Sequence, residues 1–250
     1  MAVPAFLFAL FGLAVGSFLN VVIYRVPRRE SIAVPPSHCP HCGVRLSPAE
    51  LVPLLSFAWQ RGRCRHCGAP IGWRYPAVEA LTGLLFVLAY LRFGWTGLAL
   101  YWSVFAALLV VVACIDWEYR IIPNVVLGAG LALGLVISLV LRLPLPAAAL
   151  GLASGFGVFL LLAVAWSGAM GAGDVKLAGV LGWYLGWPLV VVGLFGGILV
   201  GALVGLVLLI TRRKAARDQI PLGPFLALGA VLAVLFGREL LDWYLPLLRW

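Results

Sequence analysis

Apolar residues run almost unbroken from 2 to 23, 76 to 91, 94 to 115, 125 to 141, 147 to 170, 177 to 210 and 220 to 236. Six of these stretches have about the length of one membrane crossing as a helix, near 20 residues. The seventh, from Leu177 to Ile210, is 34 residues long and holds two minimal crossings. Its turn falls either at Trp187-Pro188 or within Gly193 to Gly197, and the pattern does not choose between them. The reading is therefore an all-α polytopic membrane protein of about eight transmembrane helices. The first run follows Met1 with no basic segment before it and no small-residue cleavage site after it, so it reads as a retained helix and not a removable signal peptide. Within it, Gly12-x-x-x-Gly16 offers a close-packing face. Asn20 is placed to hydrogen-bond a neighbouring helix.

Residues 25 to 75 break the pattern. They carry eight arginines, several prolines and four cysteines in two C-x-x-C pairs, Cys39-Pro40-His41-Cys42 and Cys64-Arg65-His66-Cys67. A glycine follows each pair, as a tight knuckle turn requires. Two knuckles 21 residues apart read as a four-thiolate zinc site, structural because four sulfurs close the coordination shell. Some 50 residues are too few for a self-sufficient core, which is the physical case for a metal. His38, His41 and His66 read as solvated neighbours of the ligands. The chain then divides into a first transmembrane helix (1–24), a cytoplasmic cysteine-knuckle domain (25–75) and a transmembrane core (76–250).

Composition changes this picture in one respect. The chain is 64% hydrophobic and 11% charged, where a soluble domain carries about 25% charged residues. A net charge of +9 would suggest nucleic acid in a soluble protein; here it reports topology, and no nucleic acid is expected. With residues 25–75 in the cytoplasm, eight spans put 116–124, 170–176 and 211–219 on the same side. Fourteen of the eighteen Lys and Arg then lie inside and four outside (Arg92, Arg142, Arg238 and Arg249).

Acidic residues number nine, and two of them carry the chemistry. Asp116 closes the run ending at Ile115; Asp174 follows Gly171-Ala172-Gly173 and opens the next. On the eight-span topology both fall at cytoplasmic ends of spans and can face each other. Two facing carboxylates that share a proton are the apparatus of an aspartic peptidase. Simpler roles stand beside that one. Asp116 and Arg120, four apart, can pair along a helix. Asp174 can cap the helix it begins.

In order along the chain, these residues resemble the type IV prepilin leader peptidases, membrane aspartic peptidases of pilus and type II secretion systems. Gly16-Ser17-Phe18-Leu19-Asn20-Val21-Val22, the two cysteine knuckles and Arg74-Tyr75-Pro76 resemble the family's N-terminal signatures. Asp116 with Arg120 and Ile122-Pro123-Asn124 resembles its first catalytic motif. Gly171-Ala172-Gly173-Asp174-Val175-Lys176-Leu177 resembles its G-x-G-D motif. Ile220-Pro221-Leu222-Gly223-Pro224-Phe225 resembles a late signature. The resemblance implies that Asp116 and Asp174 are the catalytic pair. It also implies cleavage of a short basic leader after a glycine, on the cytoplasmic side of the bacterial inner membrane. The substrates would be type IV prepilin or pseudopilin precursors. It further implies N-methylation of the new N-terminus with S-adenosylmethionine, although no glycine-rich cofactor loop is recognisable.

Two rivals are weighed against this. A presenilin or signal-peptide-peptidase type enzyme shares G-x-G-D, but carries a tyrosine where Ile115 stands and lacks the double knuckle. A proton-coupled transporter with two membrane carboxylates would hold them near the bilayer midplane, not at span ends.

Overall fold

The computed structural model describes residues 2–166, 170–211 and 220–244. The basic cluster of Arg212, Arg213, Lys214 and Arg217, with Asp218, lies outside the described residues, as do Arg249 and residues 167–169 of the 147–170 run. Among the described residues there are nine α-helices, two short 3-10 turns and isolated bridges, and no strand.

The helices are α1 (Ala2–Arg25), α2 (Leu55–Trp59), α3 (Arg74–Phe93), α4 (Gly97–Tyr119), α5 (Asn124–Val140), α6 (Leu145–Ala165), α7 (Ala172–Leu185), α8 (Leu189–Ile210) and α9 (Gly223–Tyr244). The eight apolar segments all became helices. Six of them, α1, α3, α4, α6, α8 and α9, are long and apolar enough to cross a membrane. The other two, α5 and α7, have 17 and 14 residues. The architecture is thus that of a polytopic, all-helical membrane protein, and it separates into two compact units with the boundary between Val111 and Val112.

In the first unit α1 lies along α3. The small residues make this approach: a Cβ on Gly12 would stand 2.8 Å from the Cα of Gly83, and one on Gly16 would stand 2.8 Å from the Cα of Glu79. Backbones this close gain dispersion where lipid offers no hydrophobic drive. Asn20 is buried and donates to the carbonyls of Gly16 (3.3 Å) and Tyr75 (3.1 Å), the second at the start of α3. The cysteine-bearing segment is tied to the same helix pair by the buried Glu79, whose carboxylate accepts the Leu54 N–H at 2.8 Å.

The second unit uses the same device twice. Gly151 and Gly155 of α6 face Gly182 and Ala178 of α7, with no space for a Cβ on either glycine. Gly229 of α9 meets the backbone of Gly193 and Gly197 of α8 in the same way. This resolves the turn left open by the sequence. Gly193 and Gly197 are packing residues inside α8, and the break is at Gly186 to Pro188, where Gly186 takes φ +69° and ends α7. The Trp187 N–H donates to the Ala147 carbonyl at 3.0 Å and holds the turn against the start of α6. Tyr184 secures α7 to α5 by donating to the Gly130 carbonyl at 2.7 Å.

Candidate functional site

The four cysteines come together. Two knuckles of the same build carry them. In the first, Gly43 donates to the Cys39 carbonyl at 2.9 Å and Cys39 to the Val44 carbonyl at 2.9 Å. In the second, Gly68 donates to the Cys64 carbonyl at 2.9 Å and Cys64 to the Ala69 carbonyl at 2.8 Å. Gly43 and Gly68 both take φ near +70°, which side chains resist, so the glycine after each pair is a geometric requirement. All four sulfurs lie within 4.8 Å of one another, Cys39 and Cys64 buried, Cys42 and Cys67 exposed. A tetrahedron with metal–sulfur bonds of 2.3 Å has edges of about 3.8 Å. The Cys39–Cys67 sulfur separation is 3.9 Å, so the donor set fits a divalent ion of zinc's size.

Electrostatics point the same way. The Cys42 amide draws the Cys39 thiol down to about 7, against the effect of burial. At Cys67 the Ala69 amide also lowers the thiol, but desolvation and the neighbouring thiols of Cys64, Cys42 and Cys39 outweigh it and leave it at about 11. Sulfurs this crowded cannot all ionise alone; a coordinated cation removes the conflict. The histidines are not part of the cluster. His66 faces Glu50 at 3.4 Å, and His38 Nδ1 lies 3.0 Å from the Pro36 carbonyl.

The aspartates are assembled differently, in the second unit. Asp116 sits in the last turn of α4, 6% exposed. The helix stops because Arg120 turns left-handed at φ +58°, its N–H still donating to the Asp116 carbonyl, and Pro123 then precedes α5 as its N-cap. Asp174 is the third residue of α7. Gly171, extended, is the N-cap, and its N–H donates to Asp174 Oδ2 at 3.2 Å. The N-cap is thus Gly171 and not Asp174, the residue the sequence suggested; Asp174 caps from the third position instead, which occupies one oxygen of its carboxylate.

The segments carrying the two aspartates touch. A Cβ on Gly173 would stand 3.1 Å from that of Ile122, and Lys176 Nζ donates to Asn124 Oδ1 at 2.9 Å. A third segment arrives from α9: the Gly223 N–H donates to Asp116 Oδ2 at 2.8 Å. The sequence marked Gly223 only as part of a late signature; nothing local to residues 220–225 signals that it reaches a carboxylate 107 positions earlier. Glu118, two residues from Asp116, is exposed.

Two family models match the chain, the Bacterial Peptidase A24 N-terminal domain over residues 10–93 and the Type IV leader peptidase family over residues 103–206. It is 39% identical to the Prepilin leader peptidase/N-methyltransferase of Bacillus subtilis (strain 168), across 95% of this chain and 96% of that one. The chain belongs to the type IV prepilin leader peptidase/N-methyltransferase family. Proteins of the same name from Myxococcus xanthus (strain DK1622) and Aeromonas hydrophila are 43% and 37% identical. Those matches cover 84% and 94% of this chain, and 64% and 92% of the relatives. No solved structure matches. Membership supports peptidase and methyltransferase activity in general, and with it the presenilin-type and transporter readings lose their footing. The first family model spans the cysteine knuckles and the second spans Asp116 and Asp174.

Proposed function

We propose that this protein is a membrane aspartic endopeptidase that removes the leader of type IV prepilin or pseudopilin precursors after a glycine and methylates the new N-terminus. The observation that carries the reading is that, in a member of this family, the segments bearing Asp116 and Asp174 are joined by the Ile122–Gly173 and Asn124–Lys176 contacts. One carboxylate, ionised, takes a proton from water as the water oxygen attacks the scissile carbonyl. The other, protonated, hydrogen-bonds the carbonyl oxygen and passes its proton to the leaving amine as the C–N bond breaks. Two carboxylates held together share one proton, which supplies both states at once.

S-adenosylmethionine would donate the methyl group. The described residues contain no strand and hence no βαβ unit, so they do not fit the cofactor in the Rossmann manner. Zinc on Cys39, Cys42, Cys64 and Cys67 would be structural, holding residues 25–75 as a domain between a first span (1–24) and the peptidase core (76–250). The eight helices other than α2, the short α5 and α7 included, would be eight crossings of the bacterial inner membrane, with the knuckle domain and both aspartates at its cytoplasmic face. The fourteen-to-four division of basic residues supports that orientation. Reporter fusions after Arg65 and near Arg142 should give opposite signals, and like signals would overturn it.

Incubation of the purified protein with a synthetic prepilin N-terminal segment and S-adenosylmethionine, read by mass spectrometry, tests both reactions together. A fragment cut after glycine and heavier by one methyl group is the expected product. An uncut peptide would sink the peptidase reading; a cut but unmethylated one would sink the second half alone.

A further inference from the structure

Gly223 opens α9, and the start of that helix has one donor to spare. The first turn of a helix leaves N–H groups without partners inside it. Here Pro224 has none to offer, and Phe225 gives its own to the Leu222 carbonyl at 3.1 Å. The Gly223 N–H points instead at Asp116 and meets Oδ2 at 2.8 Å, in a buried position. The residue is also a glycine for a reason other than conformation, since its φ is not among the positive ones. A Cβ there would stand 2.7 Å from Asp116 Oδ2 and 3.2 Å from its Cγ. No side chain fits unless the carboxylate moves away from the amide.

We infer that Gly223 is a positioning residue for peptide hydrolysis: its N–H fixes one oxygen of Asp116, and its missing side chain is what lets the carboxylate approach. The inference rests on the reading of Asp116 as catalytic. With Oδ2 anchored on the positive end of a 22-residue helix, Oδ1 is the oxygen left to exchange a proton with water or with Asp174. The hydrogen bond is charge-assisted, of the stronger and more directional kind. The late signature of the sequence thereby acquires a task in the site built by the other two.

The test is Gly223→Ala, compared with Gly128→Ala, a helical glycine of α5 whose Cβ would meet nothing within 4 Å. Gly223→Ala is expected to lower kcat about a hundredfold, the order seen when a single oriented hydrogen bond to a reacting group is lost. KM for the prepilin segment should change little, because the contact is to the carboxylate and not to the peptide. Gly128→Ala should leave both constants as they are. Thermal melting of Gly223→Ala, Asp116→Ala and the double variant then closes a cycle. The alanine at 223 should cost more stability with the carboxylate present than without it; Asp116→Ala removes the contacts at 2.7 and 3.2 Å and leaves only the one to the Asp116 Cβ at 3.1 Å. If Gly223→Ala does not fold, the double variant is expected to fold, and a double variant that is no better would overturn the inference. Wild-type kcat in Gly223→Ala would overturn it too, as would a rise in KM that accounts for the whole loss. Failure of the underlying reading shows itself separately, as cleavage by Asp116→Asn.

Discussion

The cysteine cluster and the aspartate pair are both built from short motifs, but they are put together in opposite ways. Each knuckle closes on itself: Cys39 bonds with Gly43 and Val44, and Cys64 with Gly68 and Ala69, all within five residues. The two halves are near copies, and their fit is to each other. The aspartate site closes locally only at Asp174, which accepts from Gly171; the rest of it is joined over long distances. Asp116 is held by Gly223, 107 residues away, and the turn before α5 is fastened to α7 by Lys176 and Asn124, 52 residues apart. A locally closed motif carries its own geometry. One assembled from three helices borrows its geometry from the packing of those helices.

The sharpest way to break the comparison is to remove one member from each site. Asp116→Asn and Asp174→Asn should each lower cleavage roughly ten-thousandfold, and the double variant should be no worse than either, since residues acting as one unit fail together. An amide keeps the size of the carboxylate but cannot cycle a proton. Glu118→Gln, on an exposed residue, should stay within about threefold. Residual cleavage that falls stepwise from single to double variant would show that the two aspartates do not share one task.

Next in size is the cysteine cluster. If the four sulfurs hold zinc as proposed, Cys39→Ser or Cys64→Ser should abolish its binding and make residues 25–75 sensitive to protease, because metal binding and folding are one free energy in small metal domains. Peptidase activity should fall partially and as a consequence, by less than for the aspartates. Metal analysis with limited proteolysis reads this. A serine variant that keeps its metal and its protease resistance would remove the cluster from the account of this segment.

The smallest effect is expected at the fastening between motifs. Lys176 and Asn124 are exposed, and an exposed hydrogen bond is worth no more than about fivefold in rate. Asn124→Ala and Lys176→Met should each cost that much or less in kcat/KM, and together little more than singly. A loss in Asn124→Ala as large as that in Asp174→Asn would mean that the lysine itself works on the substrate.

Much of the fold was legible because lipid enforces a simple rule: backbone must be satisfied within the segment, and long apolar runs become helices. Gly12 and Gly16 announced a packing face, and α3 took it. The same kind of signal was ambiguous at Gly193 and Gly197, where glycine read as one of two candidate turns; its use against Gly229 is a fact of α8 meeting α9 and not of α8 alone. In the site, the knuckles could be read entire because their bonds are local. Asp116 and Asp174 were visible as rare charges at the ends of apolar runs. Gly223 was not, since an amide hydrogen bond to a distant carboxylate leaves no mark on its own neighbours.

The length of α7 carries one more consequence. Fourteen residues rise about 21 Å, against a hydrocarbon layer of about 30 Å. A helix that short cannot present a polar end to both faces of an unperturbed bilayer. If α7 is one of the eight crossings proposed above, either the lipid thins around it or water follows the chain inward, and the end that opens on Gly171 is exposed. A hydrolase working on a membrane-anchored chain must bring water to a bond lying near the lipid surface. A stub of a helix, a defect by the standards of a membrane span, is a way to carry that surface down to the carboxylate.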